Sequence, residues 1–410
     1  MQKYIVALIC SFVLYIYIYS PPLVIMPFGL DKIVLAGAIL YLVFSNRAEE
    51  FFLLFRDELC ILLLIAVFSC LITVIHNGFS LEGLIVYDIF LLIEVLLVPY
   101  CILSFFSSKW ECNIQELIVI NAIVAGGISV LLLLNPAWAD MMKNQILRIP
   151  DLLTENFSFR GYGFSDGLLF AFPVIQGFCA GFIVCGMVER KPLYYLGLIP
   201  LVISILVNAR SGVVPLIVAI IVLAFYYPIK NVMKVAIPVA IMLLLVSFFY
   251  EPNGESQLSE SIEWGLSIFQ IIGDYFSGEE AQNMDALTGT MVQFPHSLSA
   301  WIMGEGVNLF GNSMFKDYNE SDIGICIRTV YGGILYMFFW IVLWIFMFKR
   351  LFEVNKQMAL ILFVSLLYLN WKSDFFVINA SCRFFFMIYV CCIMNPSFMK
   401  VRDLQNVSIN

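Results

Sequence analysis

Three arginines of this 410-residue chain stand where a fixed positive charge could do chemistry. Arg160 lies in NFSFRGYGFSDG, Arg210 in VNARSGVV and Arg328 in SDIGICIRTVYGG, each beside a long apolar run. A guanidinium keeps its charge at any working pH and meets phosphate oxygens through paired hydrogen bonds. Three of them at one depth would clamp a pyrophosphate. Each could equally anchor a span end by snorkelling its charge to water. Arg210 resists that simpler account best, because its very tight connection between apolar helices makes a cation costly without a partner.

The acids come next. Asp322 precedes Arg328 by six residues. If a helix begins near Ser321, the two fall about two turns apart on roughly one face. A carboxylate there could take a proton from a sugar hydroxyl; the simpler role is for Ser321 or Asp322 to cap the helix that follows. His296, in QFPHSLS, and Glu305, in IMGEGVNLFGN, are further candidates. Lys372 and Arg383 flank the turn WKSDFFVINASCR and could add positive charge to the same cavity. Asp88 and Glu94, in LIVYDIFLLIEVLLVPY, are acids inside an apolar run, which are functional by default. Glu94 could bind a proton in a transporter, or pair with Arg383 or Lys372 for structure.

Other chemistries have no footing. There is no Gly-rich phosphate loop, no G-x-S-x-G and no H-E-x-x-H. No pair of acids suggests a metal, and two histidines are too few for a Cys/His site. Metal-independent chemistry is expected. Most of the 11 cysteines lie in apolar runs, where they act as small hydrophobes.

The elements that must position these groups are membrane spans. Hydrophobic residues make up 62% and charged residues 13% of the chain, against roughly 45–50% and about 25% in an average soluble domain. The apolar runs are continuous, so helices and not a barrel are expected to cross the bilayer. About twelve spans are predicted, at 4–26, 32–44, 59–75, 84–106, 117–134, 168–187, 193–207, 212–227, 235–250, 326–348, 358–369 and 376–394, giving a single all-α integral membrane domain. Lys and Arg in the short loops place both termini in the cytoplasm. Two long segments, 135–167 and 251–325, then fall outside. Within the second, SIEWGLSIFQIIGDYF has the spacing of an amphipathic helix. The net charge of −8 argues against a nucleic-acid partner.

Four features resemble the bacterial O-antigen polymerases and, more distantly, the O-antigen ligases, over about 157–393. FRGYGFSDG resembles the arginine-bearing end of that family's first large periplasmic loop. VNARSGVVPLIVAII resembles its short arginine motif ahead of a long span. GEGVNLFGN followed by ESDIGICIRTVYGGILYMFF resembles its exit from the second large loop. The fourth is topology, about a dozen spans with two large outer loops. Ligases usually carry a histidine where this chain has Asp322, which favours a polymerase.

The resemblance implies a C-type glycosyltransferase fold in the bacterial inner membrane. It implies transfer of a growing glycan from undecaprenyl pyrophosphate to a new lipid-linked repeat unit, with no nucleotide cofactor. Arg210, with Arg160 or Arg328, would stabilise the leaving pyrophosphate, and Asp322, then His296, would be the base. Glu305 and Lys372 would border the substrate, while Tyr162, Phe164, Trp301 and Tyr318 could stack on sugar rings. A chain-length regulator and a flippase of the same pathway are implied partners. A ligase, or a flippase or transporter for a lipid-linked sugar, remains the alternative.

Overall fold

A computed structural model describes residues 2–77, 84–107, 110–148, 163–167, 170–188, 191–226, 291–310, 318, 320–375 and 377–398, with the backbone alone for Asn144 and Arg210. The described residues are mainly helical and include no strand. In chain order the helices are α1 (Gln2–Tyr19), α2 (Asp31–Phe44), α3 (Ala48–Leu54), α4 (Arg56–Asn77), α5 (Leu84–Glu94), α6 (Leu97–Ile102), α7 (Ile114–Leu134), α8 (Pro136–Met141), α9 (Ala171–Val184), α10 (Pro192–Asn208), α11 (Val213–Tyr226), α12 (Leu298–Met303), α13 (Gly324–Val354), α14 (Lys356–Lys372) and α15 (Ala380–Met394). Five stretches are long and apolar enough to cross a membrane: α1, residues 56–76 of α4, Leu84–Ser107, α7 and α13.

Helix occupies every predicted span except 235–250, which lies outside the described residues, as does the predicted amphipathic helix of the second loop. The fourth span is not one regular helix. α5 stops at Glu94, α6 follows, and Leu103–Ser107 winds as a π-helix. α1 ends at Tyr19, short of the predicted 26.

Two helices form the centre. Every residue of α9 is buried, and so is every residue of α15 from Ala380 to Cys392. A helix apolar all round must be enclosed by others. α9 packs on α10, α11 and α15. Its glycines allow close approach: a Cβ at Gly177 would collide with the carbonyl oxygen of Gly212, and one at Gly181 would lie 2.7 Å from Ala219 Cβ. Small residues at helix contacts are how bilayer helices gain van der Waals packing. Phe384 of α15 stacks on Phe178 and Phe182 of α9. The periphery is apolar too. Tyr4, Leu8 and Phe12 of α1, and Phe338, Ile341 and Ile345 of α13, are exposed large hydrophobes. Such a surface suits lipid rather than water, and the chain is read as membrane-spanning.

Ion pairs tie the helices at both ends of the bundle. At one end the start of α4 meets the last turns of α13 and α15: Arg350 pairs with Glu58, which also accepts from the Tyr389 hydroxyl. At the other end lie the close of α1, the starts of α2, α13 and α15, and the close of α14. The described candidate residues of the sequence gather at this second end.

Candidate functional site

The segment before α13 is shaped by glycines. After α12, Gly304 and Gly306 adopt positive φ (+76° and +69°), and α13 is broken at Gly333, where φ is +68°. Only glycine takes this backbone region without strain. The two stretches interlock. The Glu305 N–H donates to Val330 O at 2.8 Å, and the Gly306 N–H donates to Tyr331 O at 2.9 Å. A Cβ at Gly304 would strike the Tyr331 carbonyl, and one at Gly333 would lie 2.5 Å from Ile302 O. Ser321 closes the strap, its N–H donating to Leu309 O and its hydroxyl to Met291 O at 2.6 Å. GEG, SDIG and YGG, separate in sequence, thus form one compact unit around the first turns of α13.

Several of the predicted residues sit on or beside this unit. Asp322 is half-buried just outside α13, and burial raises its pKa above the ordinary carboxylate range, Glu320 adding to the effect and Lys372 opposing it. Lys372, at the close of α14, is thereby near Asp322. Asp322 is not a cap: α13 begins after Ile323 with no side-chain cap, and the Ser321 hydroxyl accepts from the Ile323 N–H instead. Glu305 is half-buried in the strap. His296 is exposed at the loop's entry, its ring stacked on Tyr318 at 4.4 Å. Trp301 stacks on Phe294.

Arg328 departs from expectation. Its sequence position suggests the boundary between membrane and water, but it is only 2% exposed. Its Nε donates to both Asp374 oxygens, at 3.1 and 3.0 Å. One terminal nitrogen donates to Asp88 Oδ1 at 3.2 Å and to the Tyr336 hydroxyl at 2.7 Å, and the guanidinium lies 4.4 Å from the Trp340 ring centroid. The physical reason is two buried carboxylates, each unable to stay charged in the bundle without a cation. Only Nη2 has no partner. Asp88 is therefore part of this network, with the Tyr336 hydroxyl donating to its second oxygen.

The other two arginines are placed in part. The Arg210–Gly212 turn is 3₁₀-helical and packs on α9, with Gly212 so close that a Cβ would collide with Pro173 O. The Arg210 backbone therefore stands beside the first turns of α9. Arg160 and Tyr162 lie outside the described residues. The segment just after them, 163–167, is held against α1 and α15. The Asp166 N–H donates to Tyr19 O, Phe164 O accepts from the Tyr15 hydroxyl, and Asp166 receives the Ala380 N–H and Arg383 Nη2. Burial pushes Asp166 up to about 6 against the pull of Arg383, although its side chain keeps 26% exposure.

A second charged network adjoins the first. Lys32 Nζ lies 2.5 Å from Glu94 Oε2 and 2.7 Å from Asp31 Oδ2, and Arg383 reaches Asp31 at 3.5 Å and Asp166 at 2.5 Å. Glu94 thus bonds directly to Lys32, while Arg383, one of the two predicted partners, acts on it through its charge. Asp31, Lys32, Asp166 and Asp374 are not singled out by sequence reasoning. Their signal was the placement of ionisable residues immediately at the ends of apolar runs. Neither a protein-family model nor a curated protein matches the chain.

Proposed function

We propose that this protein is an O-antigen polymerase of the bacterial inner membrane, with its termini cytoplasmic and the strap end of the bundle in the periplasm. It joins lipid-linked oligosaccharide repeat units, moving the growing chain from undecaprenyl pyrophosphate to a newly delivered unit. The observation that carries this reading is the glycine unit: the motif residues behind the family resemblance, up to 29 positions apart from Gly304 to Gly333, pack on one another beside Asp322.

The proposed chemistry follows from the groups there. The acceptor hydroxyl attacks the anomeric carbon, the bond from that carbon to the pyrophosphate oxygen breaks, and the lipid diphosphate leaves with the electron pair. Asp322 takes the hydroxyl proton, and the burial that raises its pKa makes its carboxylate a stronger base. Arg210 and Arg160 stabilise the leaving diphosphate. Arg328 is held by two carboxylates and contributes at most through Nη2.

A lipopolysaccharide gel from a deletion strain tests the reading. A polymerase defect leaves single repeat units on the lipid core, whereas a ligase defect leaves none. Charge reversal at Arg210 (Arg210→Glu) is expected to abolish long chains while the protein still inserts. Wild-type chain lengths in that variant remove the proposed diphosphate site and favour a flippase.

A further inference from the structure

The network of Asp31, Lys32, Glu94, Asp166 and Arg383 does not balance. Among the described residues three carboxylates face two cations, a surplus of one negative charge. The neighbouring network has no charge to spare in Arg328, which already pairs with two carboxylates, Asp88 and Asp374. Cys382 lies between them, within electrostatic reach of Arg383 and Glu94 on one side and of Arg328 and Asp374 on the other.

The bonding pattern says where the surplus falls. Asp31 accepts from the Ser20 hydroxyl at 2.6 Å on one oxygen and faces Lys32 and Arg383 with the other. Both Asp166 oxygens are engaged, by Ala380 N–H and by Arg383. Glu94 is fully buried, and its Oε1 has no partner, while Oε2 meets Lys32. The groups around Glu94 are the Tyr17 hydroxyl of α1, itself buried and unpartnered, Asp31 and Lys32 of α2, and Cys382 and Arg383 of α15, with Asp88 earlier on its own helix. Among the described residues none of these is a further cation. An uncompensated buried charge is neutralised rather than tolerated.

We propose that Glu94 is a proton-binding site: it carries a proton on Oε1 at neutral pH, and that proton is the third positive charge, set against three carboxylates, of a lock joining α1, α2, α5 and α15. A proton fits here better than a metal ion. A hard metal ion takes about six or more oxygen ligands, and it would sit beside two fixed cations. Lys32 and Asp166, at 24% and 26% side-chain exposure, form the edge where the network meets the surroundings. The proton therefore exchanges from the strap end of the bundle. The inference stands on charge balance and does not depend on the polymerase reading.

Infrared spectroscopy of the purified full-length protein in detergent at neutral pH tests it. A protonated-carboxyl band is expected, shifted when glutamate carboxyls are carbon-13 labelled. The band should vanish in Glu94→Gln, lose its label shift in Glu94→Asp, and persist in Glu58→Gln, which alters the buried glutamate at the opposite end. Absence of the band in wild type, no shift on glutamate labelling, or survival of the shifted band in a folded Glu94→Gln protein overturns the proposal. Should the Glu94 variants not fold, labelled wild type and Glu58→Gln decide alone: loss of the band in Glu58→Gln assigns the proton elsewhere and overturns it.

Discussion

Arg328 is held from opposite sides by Asp374 and Asp88, residues 46 and 240 positions away in the chain. Removing it strands two buried carboxylates. Arg328→Met is expected to destabilise the protein by about 3–5 kcal/mol, seen as a lowered thermal midpoint in detergent. Arg328→Lys should recover little of this, because one ammonium cannot bond Asp374 on one side while also reaching Asp88 and Tyr336 on the other. At Asp322 the expected loss is of activity and not of fold. Asp322→Asn should melt like wild type and slow polymerisation by roughly 10²–10⁴-fold. In wild type, a base with a raised pKa loses its acceptor form as pH falls through that pKa, so the rate should drop on the acid side while still above the ordinary carboxylate range. That acid limb should be missing from whatever activity Asp322→Asn retains. The sequence announces Arg328 and Asp88 as charges in apolar surroundings. It cannot announce that they meet, because a pairing across 240 residues is decided by how helices pack, and no local pattern encodes it.

At the scale of elements, hydropathy locates helices well, since a bilayer leaves few other ways to satisfy backbone groups. Their interruptions are less visible. The stop after Glu94, the π-turn at Leu103–Ser107 and the break at Gly333 all lie within uninterrupted apolar or mixed runs. Gly304 and Gly333 are legible as glycines but not as partners. Gly304→Ala and Gly333→Ala should each cost about 1–3 kcal/mol from the positive φ alone, with more from the collision of the added methyl. The two should be non-additive, because both loosen one contact. Limited proteolysis within 291–310 is the measurement: each variant should be cut faster there than wild type, with cleavage elsewhere unchanged.

For the whole molecule, the enclosure of α9 and α15 sets an order of stability. Their amides should exchange with deuterium more slowly than those of α1 and α2, whose lipid-side faces are open. Equal protection of α1 and α15 in exchange measured by mass spectrometry would contradict this arrangement. Enclosure was partly readable, for AFPVIQGFCAGFIV carries no charge and two glycines for close contact. Which helices surround it was not, because the apolar stretches resemble one another and lipid is as apolar as a neighbouring helix.

The strap has a practical corollary for engineering. Because Glu305 and Gly306 bond back to Val330 and Tyr331, the chain between them closes on itself before the long shaft of α13 begins. Such a closed circuit should transplant as a cassette. A chimera joined before Met291 and after Gly333 carries both halves of the clasp and should assemble. One joined anywhere between Gly306 and Val330 mates each half with a foreign counterpart, and the graft should fail even if every helix still inserts.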